Sequence, residues 1–420
     1  SIIMQTKLIP IYQQSKDGQE AERILRSCVH CGFCNATCPT YQVLGDELDG
    51  PRGRIYLIKG MLEGGYVTPE VRLHLDRCLS CRACETTCPS GVEYHRLLDI
   101  GREIMAKSLP QGESGGARKK LLSGLLSSPV LFKTLLRLGQ VSRPLLPSML
   151  KAKIPKYKPA TIVLEHSQRV HKRSVLLLGG CVQDALVPDI NNATRKVLLA
   201  FGVACIPVAK VLCCGSMPFH LDEIEKSKAQ ARANIDAWWP YIDRGEAEAI
   251  IMNASGCGLF VKEYAGLLDC DPAYAEKAKV VAELARDPAE FLVNEDWTKM
   301  CSSSISPLSG SRVVFHAPCT LQHGQKINGL VEKLMSALGV DVMPFKDAHL
   351  CCGSSGTYSI LQPEISSQLK RNKLLSIQEV EPDYILTANI GCQTHLSTGT
   401  KTPVIHWLEY VARQIQADPR

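Results

Sequence analysis

No run of apolar residues in this 420-residue chain is long and uninterrupted enough to suggest a bilayer crossing. The nearest approach, Val197 to Phe219, has Lys210 as its single charge, but Gly202, Pro207 and the pair Cys213-Cys214 break it up. It reads as a helix end, a short buried strand and a ligand loop. Ser1 to Glu20 lacks the charged region, apolar core and small-residue cleavage site of a secretory signal. The expectation is a soluble or membrane-peripheral protein in a reducing, cytoplasmic compartment. Also missing are a Gly-x-Gly-x-x-Gly after a strand and a phosphate-binding loop, which argues against a flavin or nicotinamide on this chain. No catalytic residue is assigned, and any hydride chemistry is expected on another chain.

Acidic residues vanish locally. Ser114 to Leu164 has no Asp or Glu but carries Arg118, Lys119, Lys120, Lys133, Arg137, Arg143, Lys151, Lys153, Lys156 and Lys158, interleaved with Leu and Pro. The overall charge of +6 conceals this basic, amphipathic segment. Two readings stand side by side: a surface that docks on anionic lipid or an acidic partner, and a solvated linker with a few core leucines. Nucleic acid is disfavoured, since Phe132 and Tyr157 are the segment's only aromatics and no recognised module is present.

Against these absences stand 19 cysteines, far beyond the needs of ordinary packing. A disulfide scaffold is typically short and secreted, whereas here the cysteines fall in Cys-x2-Cys runs and adjacent pairs within a long chain, so metal is the favoured explanation. Two runs match the bacterial two-cluster ferredoxin spacing: Cys28-x2-Cys31-x2-Cys34-x3-Cys38-Pro39 and Cys78-x2-Cys81-x2-Cys84-x3-Cys88-Pro89. Three close thiolates wrap three corners of a cubane, and the fourth corner takes a residue from elsewhere. This assigns Cys28, Cys31, Cys34 and Cys88 to one [4Fe-4S] cluster and Cys78, Cys81, Cys84 and Cys38 to the other. A zinc ribbon would instead draw four sulfurs from two knuckles. Pro39 and Pro89 are expected to redirect the chain, Gly32 and Ala83 to keep the ligand loops small, and Val29, Phe33 and Leu79 to shield the clusters from water. His30 is read as a packing or hydrogen-bonding group.

The remainder is an internal repeat. Cys181, Cys213 and Cys214 recur 138 residues later as Cys319, Cys351 and Cys352, and Cys257 recurs 135 residues later as Cys392. Short Val, Ile and Leu runs alternate with helical patterns at Asp189 to Gly202, Asp222 to Asp243, Asn328 to Gly339 and Pro363 to Val380, which suggests parallel α/β units. Cys181, Cys257, Cys319 and Cys392 each follow a predicted strand, where open α/β sheets place ligands. Each repeat thus offers four thiolates for an additional iron-sulfur cluster, with packing or partner docking as the alternative. Gly215 and Gly353 are expected to let the backbone approach a bulky ligand. His220, His316 and His349 are read as buried, hydrogen-bonded residues in preference to mixed ligands, and Cys205, Cys270 and Cys301 as incidental.

The paired-cysteine pattern resembles the cysteine-rich CCG domain of heterodisulfide reductase, glycerol-3-phosphate dehydrogenase and lactate-utilisation subunits. That family ends the motif in Cys-x2-Cys, and here Ala254 and Asn389 replace the first of those cysteines. Two ferredoxin runs followed by two CCG repeats resemble, nearly end to end, the iron-sulfur subunits of glycolate oxidase. The likeness is sharpened by Cys28 to Tyr41, Gly45 to Lys59 and Cys78 to Gly91. It implies an electron-transfer subunit of an oxidoreductase, with flavoprotein partner subunits oxidising glycolate and a quinone or other acceptor downstream. A thiol redox enzyme of the heterodisulfide type, acting at the CCG sites, is the alternative. The expected fold is mixed α+β and α/β: a helical two-cluster domain over residues 1–112, a basic amphipathic linker over 113–170, and CCG repeats over 171–305 and 306–420.

Overall fold

The computed structural model describes residues 4–108, 116–145, 157, 159–162, 172–208, 211–297 and 311–415. The three expected domain boundaries fall outside these residues, as do Cys301, Lys151, Lys153, Lys156 and Lys158.

The N-terminal region is helical. Ser15 caps the helix Lys16–Ser27 by accepting from the Gly18 amide, with Asp17 in its first turn and Arg26 in its last, both favourable to the helix dipole. Its buried face, Ala21, Ile24 and Leu25, packs with Ile55, Ile58 and Leu62 of Pro51–Leu62 and with Leu97, Leu98 and Ile104 of Tyr94–Ser108. Cys28 and Cys78 border this core, so both ligand runs begin where a helix ends against packed side chains.

Among the described residues seven strands follow: β1 (Arg173–Leu177), β2 (Val203–Ile206), β3 (Ile250–Ile251), β4 (Ala285–Arg286), β5 (Val313–His316), β6 (Tyr384–Thr387) and β7 (Val404–His406). They form two parallel sheets, β2-β1-β3-β4 and β5-β6-β7. A bridge between Val313 and Val342 supplies, in the second sheet, the edge that β2 occupies in the first. The duplication seen in the cysteines is therefore also a duplication of topology. The four expected helices are present as Asp189–Ala200, Ile224–Asp243, Leu330–Ala337 and Pro363–Gln378.

Both faces of each sheet are covered, as parallel sheets require. Val175 and Leu177 face one core while Leu176 faces another, the period-two alternation of a strand. The first of these cores is shared by the two repeats: Val175, Val197 and Val203 pack in it with Val313, Phe315, Trp407 and Val411. The Lys196 ammonium reinforces this contact by donating to the Ile415 carbonyl at 2.9 Å. The repeats are thus one packed body rather than two separate beads.

The described part of the basic segment includes helices Gly116–Leu126 and Pro129–Ser142, with Lys119–Leu126 bent 94° from the second. Lys119 is buried between Asp76 and Asp222, reaching the latter at 2.8 Å, so the first helix is anchored by charge. The second helix exposes Val130, Leu131, Leu135, Leu138 and Val141 along one face.

Candidate metal centres

Two adjoining cavities lie within the helical region. The first, of about 440 Å³, is lined by Cys28, Cys31, Cys34 and Cys88, with Cys84 also at its wall. The second, of about 300 Å³, is lined by Cys38, Cys78, Cys81 and Cys84. Each collects three thiols from one run and the crossing thiol of the other, with Cys84 on the wall that the two share. The electrostatics divide them in the same way. Burial pushes the Cys34 thiol up to about 11, with Cys28, Cys88 and Cys31 adding repulsion. Burial raises Cys84 well above an ordinary thiol, with Cys81, Cys78 and Cys38 adding to it. Such groups give up their protons together only around a cation, so the donor chemistry fits an iron-sulfur cluster in each cavity.

The loops that present these thiols are bent by left-handed residues at matched positions: His30 (φ 56°) and Ser80 (φ 52°), then Gly32 (φ 82°) and Arg82 (φ 61°). Arg82, not Ala83, is the register equivalent of Gly32. Its side chain does not crowd the loop because it reaches away to Glu263 at 2.6 Å. Pro39 does not end a helix but begins one, at the first position of Pro39–Leu44, where a missing N–H costs nothing. His30 stacks on Tyr56, with ring centroids 4.5 Å apart, and its nitrogens have no hydrogen-bond partner among the described residues.

Shielding differs between the cavities. Val29 and Phe33 line the first, yet Cys31 is exposed and Phe33 is 58% exposed. Leu79 lines the second and is buried. The second cavity also has donors aimed at sulfur: Tyr94 Oη lies 3.7 Å from Cys78 Sγ and the buried Arg54 Nη1 lies 4.0 Å from Cys38 Sγ. Asp49, accepting from Arg77 at 2.8 Å and lying 3.5 Å from Arg54, holds the guanidinium in place.

In the first repeat, Cys181, Cys213, Cys214 and Cys257 converge. The Cys213 thiol lies beside Cys181 and Cys214, and Cys214 beside Cys257. Donation from Cys181 and then Cys214 holds Cys213 well below an ordinary thiol, while Cys181 and Cys214 rise. In the second repeat, Cys319 Sγ and Cys351 Sγ stand 3.8 Å apart, and Cys352 touches both Cys351 and Cys392. Cys181 and Cys319 lie in the loops just past β1 and β5, whereas Cys257 and Cys392 sit in the first turns of helices Ser255–Lys262 and Ile390–Ser397.

Gly215 and Gly353 do adopt left-handed backbone, at φ 98° and 88°. Each also makes a close approach to protein backbone. A Cβ at Gly353 would meet Ser366 O at 2.8 Å, and one at Gly215 would meet Ser227 O at 3.0 Å. The histidine expectations separate as well. His220 and His349 are exposed, and His220 packs edge-on against Phe219. His316 is buried, but it has no hydrogen bond to either ring nitrogen among the described residues. Of the incidental cysteines, Cys205 is pushed up to about 11 by burial, and Cys270 is exposed near Lys16.

Sequence periodicity carried no sign of two further relationships. The second ferredoxin run is clamped to the repeats through Ser355 Oγ to Leu79 O at 2.7 Å, Tyr358 Oη to Arg77 O at 2.9 Å and a Thr86–His323 contact at 2.9 Å. Through that clamp, Cys81 and Cys319 pack against the cluster formed by Leu79, Cys351 and Tyr358.

A family model described as a 4Fe-4S dicluster domain matches residues 24–92, and one described as a cysteine-rich domain matches 175–262 and 313–397. The chain is similar to the glycolate oxidase iron-sulfur subunit of Escherichia coli strain K12, with 48% identity over 419 residues, 99% of this chain and 100% of that one. It is similar to the probable glycolate oxidase iron-sulfur subunit of Bacillus subtilis strain 168, with 30% identity over 404 residues and 89% of each chain. Lactate utilization protein A of Geobacillus thermodenitrificans matches at 27% over 223 residues, 52% of this chain and 87% of that protein. A crystal structure of a hypothetical protein from Helicobacter pylori shares the fold, with a TM-score of 0.52 at 12% identity, covering 98% of this chain and 74% of that one.

Proposed function

The chain belongs to the family of glycolate oxidase iron-sulfur subunits, and from that premise we propose that it carries electrons from a flavoprotein partner that oxidises glycolate to a quinone or other acceptor. The observation that carries the reading is the pair of adjoining cavities, each lined by three thiols of one run and the crossing thiol of the other. In it, Cys28, Cys31, Cys34 and Cys88 hold one [4Fe-4S] cluster, and Cys78, Cys81, Cys84 and Cys38 hold the second. Such a cluster supplies one-electron transfer, while the protein sets its position, dryness and potential.

The residues divide the work. Exposed Cys31 and Phe33 mark the face where a partner's flavin would approach. Leu79 and Tyr94 keep the second cavity dry, and Arg54 places positive charge beside Cys38, which favours the reduced state. The packing of Cys81 and Cys319 against one cluster that includes Cys351 extends the path into the second repeat. Within this proposal, Cys319, Cys351, Cys352 and Cys392 hold a further metal centre, and Cys181, Cys213, Cys214 and Cys257 offer a fourth. Thiol-disulfide turnover at the CCG sites has less behind it, because a substrate would have to reach Cys213 and Cys214 at 1% and 3% exposure.

Location is part of the proposal. The exposed apolar face of Pro129–Ser142, with Lys133 and Arg137 on the same helix, suits a peripheral contact with an anionic membrane on the cytoplasmic side. That would bring the acceptor end close to a quinone pool.

The test is to purify the chain anaerobically with its flavoprotein partners and add glycolate. The expected result is reduction of both clusters, seen by electron paramagnetic resonance, with about eight irons in the ferredoxin-type sites. Clusters that stay oxidised with glycolate and every other short 2-hydroxy acid would overturn the assignment.

A further inference from the structure

The two repeats are not equivalent at their centres. The position three residues before the first cysteine is Leu178 in repeat one and His316 in repeat two, and both are buried, at 2% and 1% exposure. Leucine there is ordinary core. A histidine at the same place must give each ring nitrogen a partner or leave it unsatisfied, which is unfavourable in a buried site. Neither His316 nitrogen has a hydrogen bond among the described residues. One of them instead lies with the Cys352 and Cys392 sulfurs in a group whose ligand atoms are all within 4.8 Å of one another.

The spacing has a chemical meaning. A tetrahedral ion with metal-sulfur bonds of about 2.3 Å and metal-nitrogen bonds of about 2.0 Å holds its ligand atoms roughly 3.5 to 3.8 Å apart. A trio already within 4.8 Å needs only a small contraction around one ion. A cubane sets its outer thiolates farther apart than that.

The surroundings of the two repeat centres differ as well. Lys373 is buried beside Cys351 and Cys352 and donates to the carbonyl oxygens of Asp347 and Ala348, at 2.5 and 3.4 Å. At the matching place in repeat one, neutral Asn234 donates to the Cys213 carbonyl. Asn389, which stands where the related CCG motif has a further cysteine, places its amide nitrogen 3.8 Å from Cys392 Sγ. Repeat two, with Asn389 in place of a sulfur ligand, thus has a buried imidazole at the same centre.

We propose that His316, Cys352 and Cys392 bind a single divalent ion of borderline softness, zinc or ferrous iron, in an imidazole-thiolate site that repeat one does not share. This rests on the reading that the second-repeat thiolates hold metal. Three protein ligands leave a fourth tetrahedral position, as in sites that accept an exogenous ligand or a neighbouring thiolate.

The experiment uses the full chain in complex with its partners, purified anaerobically as wild type, His316→Leu, His316→Cys and Cys352→Ser. His316→Leu reproduces the residue that repeat one already packs at this position, so folding is expected to survive, and the ferredoxin-type signals report on it. Metal analysis is expected to show His316→Leu and Cys352→Ser each losing one zinc or one iron per chain, with those signals unchanged. X-ray absorption at the edge of that metal should show one nitrogen at about 2.0 Å with sulfur at about 2.3 Å in the wild type, and sulfur alone in His316→Cys. If His316→Leu keeps its full metal and an unchanged shell while Cys352→Ser loses metal, the imidazole is not a ligand and the thiolate reading survives. Loss of about four irons in place of one overturns the single ion. Metal content unaffected by either substitution overturns both.

Discussion

The Tyr358 hydroxyl donates to the backbone carbonyl of Arg77 at 2.9 Å, tying the loop after Cys351-Cys352 to the residue that precedes Cys78. Two segments separated by some 280 positions thereby hold the second ferredoxin run against the second CCG site. Tyr358→Phe removes the donor and leaves a mostly buried carbonyl without it, which should cost about 1 kcal/mol. The expected signature is a lower anaerobic melting temperature, with faster amide exchange over Leu79 to Cys81 and intact cluster spectra. Unchanged exchange there would show that the clamp is held by other contacts.

The crossing thiols make an asymmetric prediction. Cys88→Ala should deplete the cluster of the first run, and Cys38→Ala that of the second, although each lies in the opposite run. Each variant is expected to lose one of two distinguishable reduced-cluster signals. Loss of the signal belonging to the variant's own run would contradict the cavity linings.

Arg54 bears on potential more than on assembly. Its guanidinium is 4.0 Å from Cys38 Sγ and donates to Thr40 Oγ1 at 3.2 Å, while Asp49 also has Arg77 and His74. Arg54→Met keeps the packing volume and removes the charge. The second cluster should then titrate at a more negative potential and the first should not move, as followed in an anaerobic redox titration. Destabilisation of about 3 kcal/mol is expected alongside, because part of the compensation for buried Asp49 is lost.

A pH effect follows from Asp287, which caps the helix Pro288–Leu292. One carboxylate oxygen accepts from the Ala289 amide at 2.9 Å, and the other is buried without a partner. Burial raises its pKa from 3.8 to about 7. The folded chain therefore holds a proton that the unfolded chain has released between about pH 4 and pH 7, so its contribution to stability is full below that window and is lost as pH rises through it. Asp287→Asn keeps the cap acceptor and should flatten this part of the stability profile in urea titrations. A wild-type profile already flat over the window would refute the assignment.

For the membrane face, Val130, Leu138 and Val141 are 77%, 61% and 80% exposed. Changing all three to serine should leave the melting temperature within error. Binding to vesicles containing anionic lipid should weaken by at least about tenfold, given the apolar area removed. Equal vesicle binding by the two proteins would count against membrane docking through this helix.

Much of the site was legible because cysteine chemistry is local in its demands. A cubane needs three thiolates within one turn of chain, and that need is written in the spacing of Cys28, Cys31 and Cys34. The repeat was legible for a similar reason, since duplicated strands and helices keep their periodicity and Cys-Cys-Gly marks the register. Loop conformation was less so. Gly32 suggested a small loop, but Arg82 shows that a left-handed turn, not small size, is the requirement, provided the side chain has somewhere to go. The glycines after the paired cysteines also approach the helix backbone at Ser227 and Ser366, a contact that local spacing does not show.

By itself, then, the sequence determined the ligand loops, the duplication and the alternation of strand and helix, since each depends on residues within a few positions of one another. Tertiary structure decided which thiols share a cavity wall, that the repeats share a core, and that Cys81 and Cys319 pack against one cluster with Cys351. It also decided that His316 is a buried imidazole beside sulfur where Leu178 is plain core. Such relationships join residues tens to hundreds of positions apart. They depend on how packed surfaces meet, which local spacing does not encode.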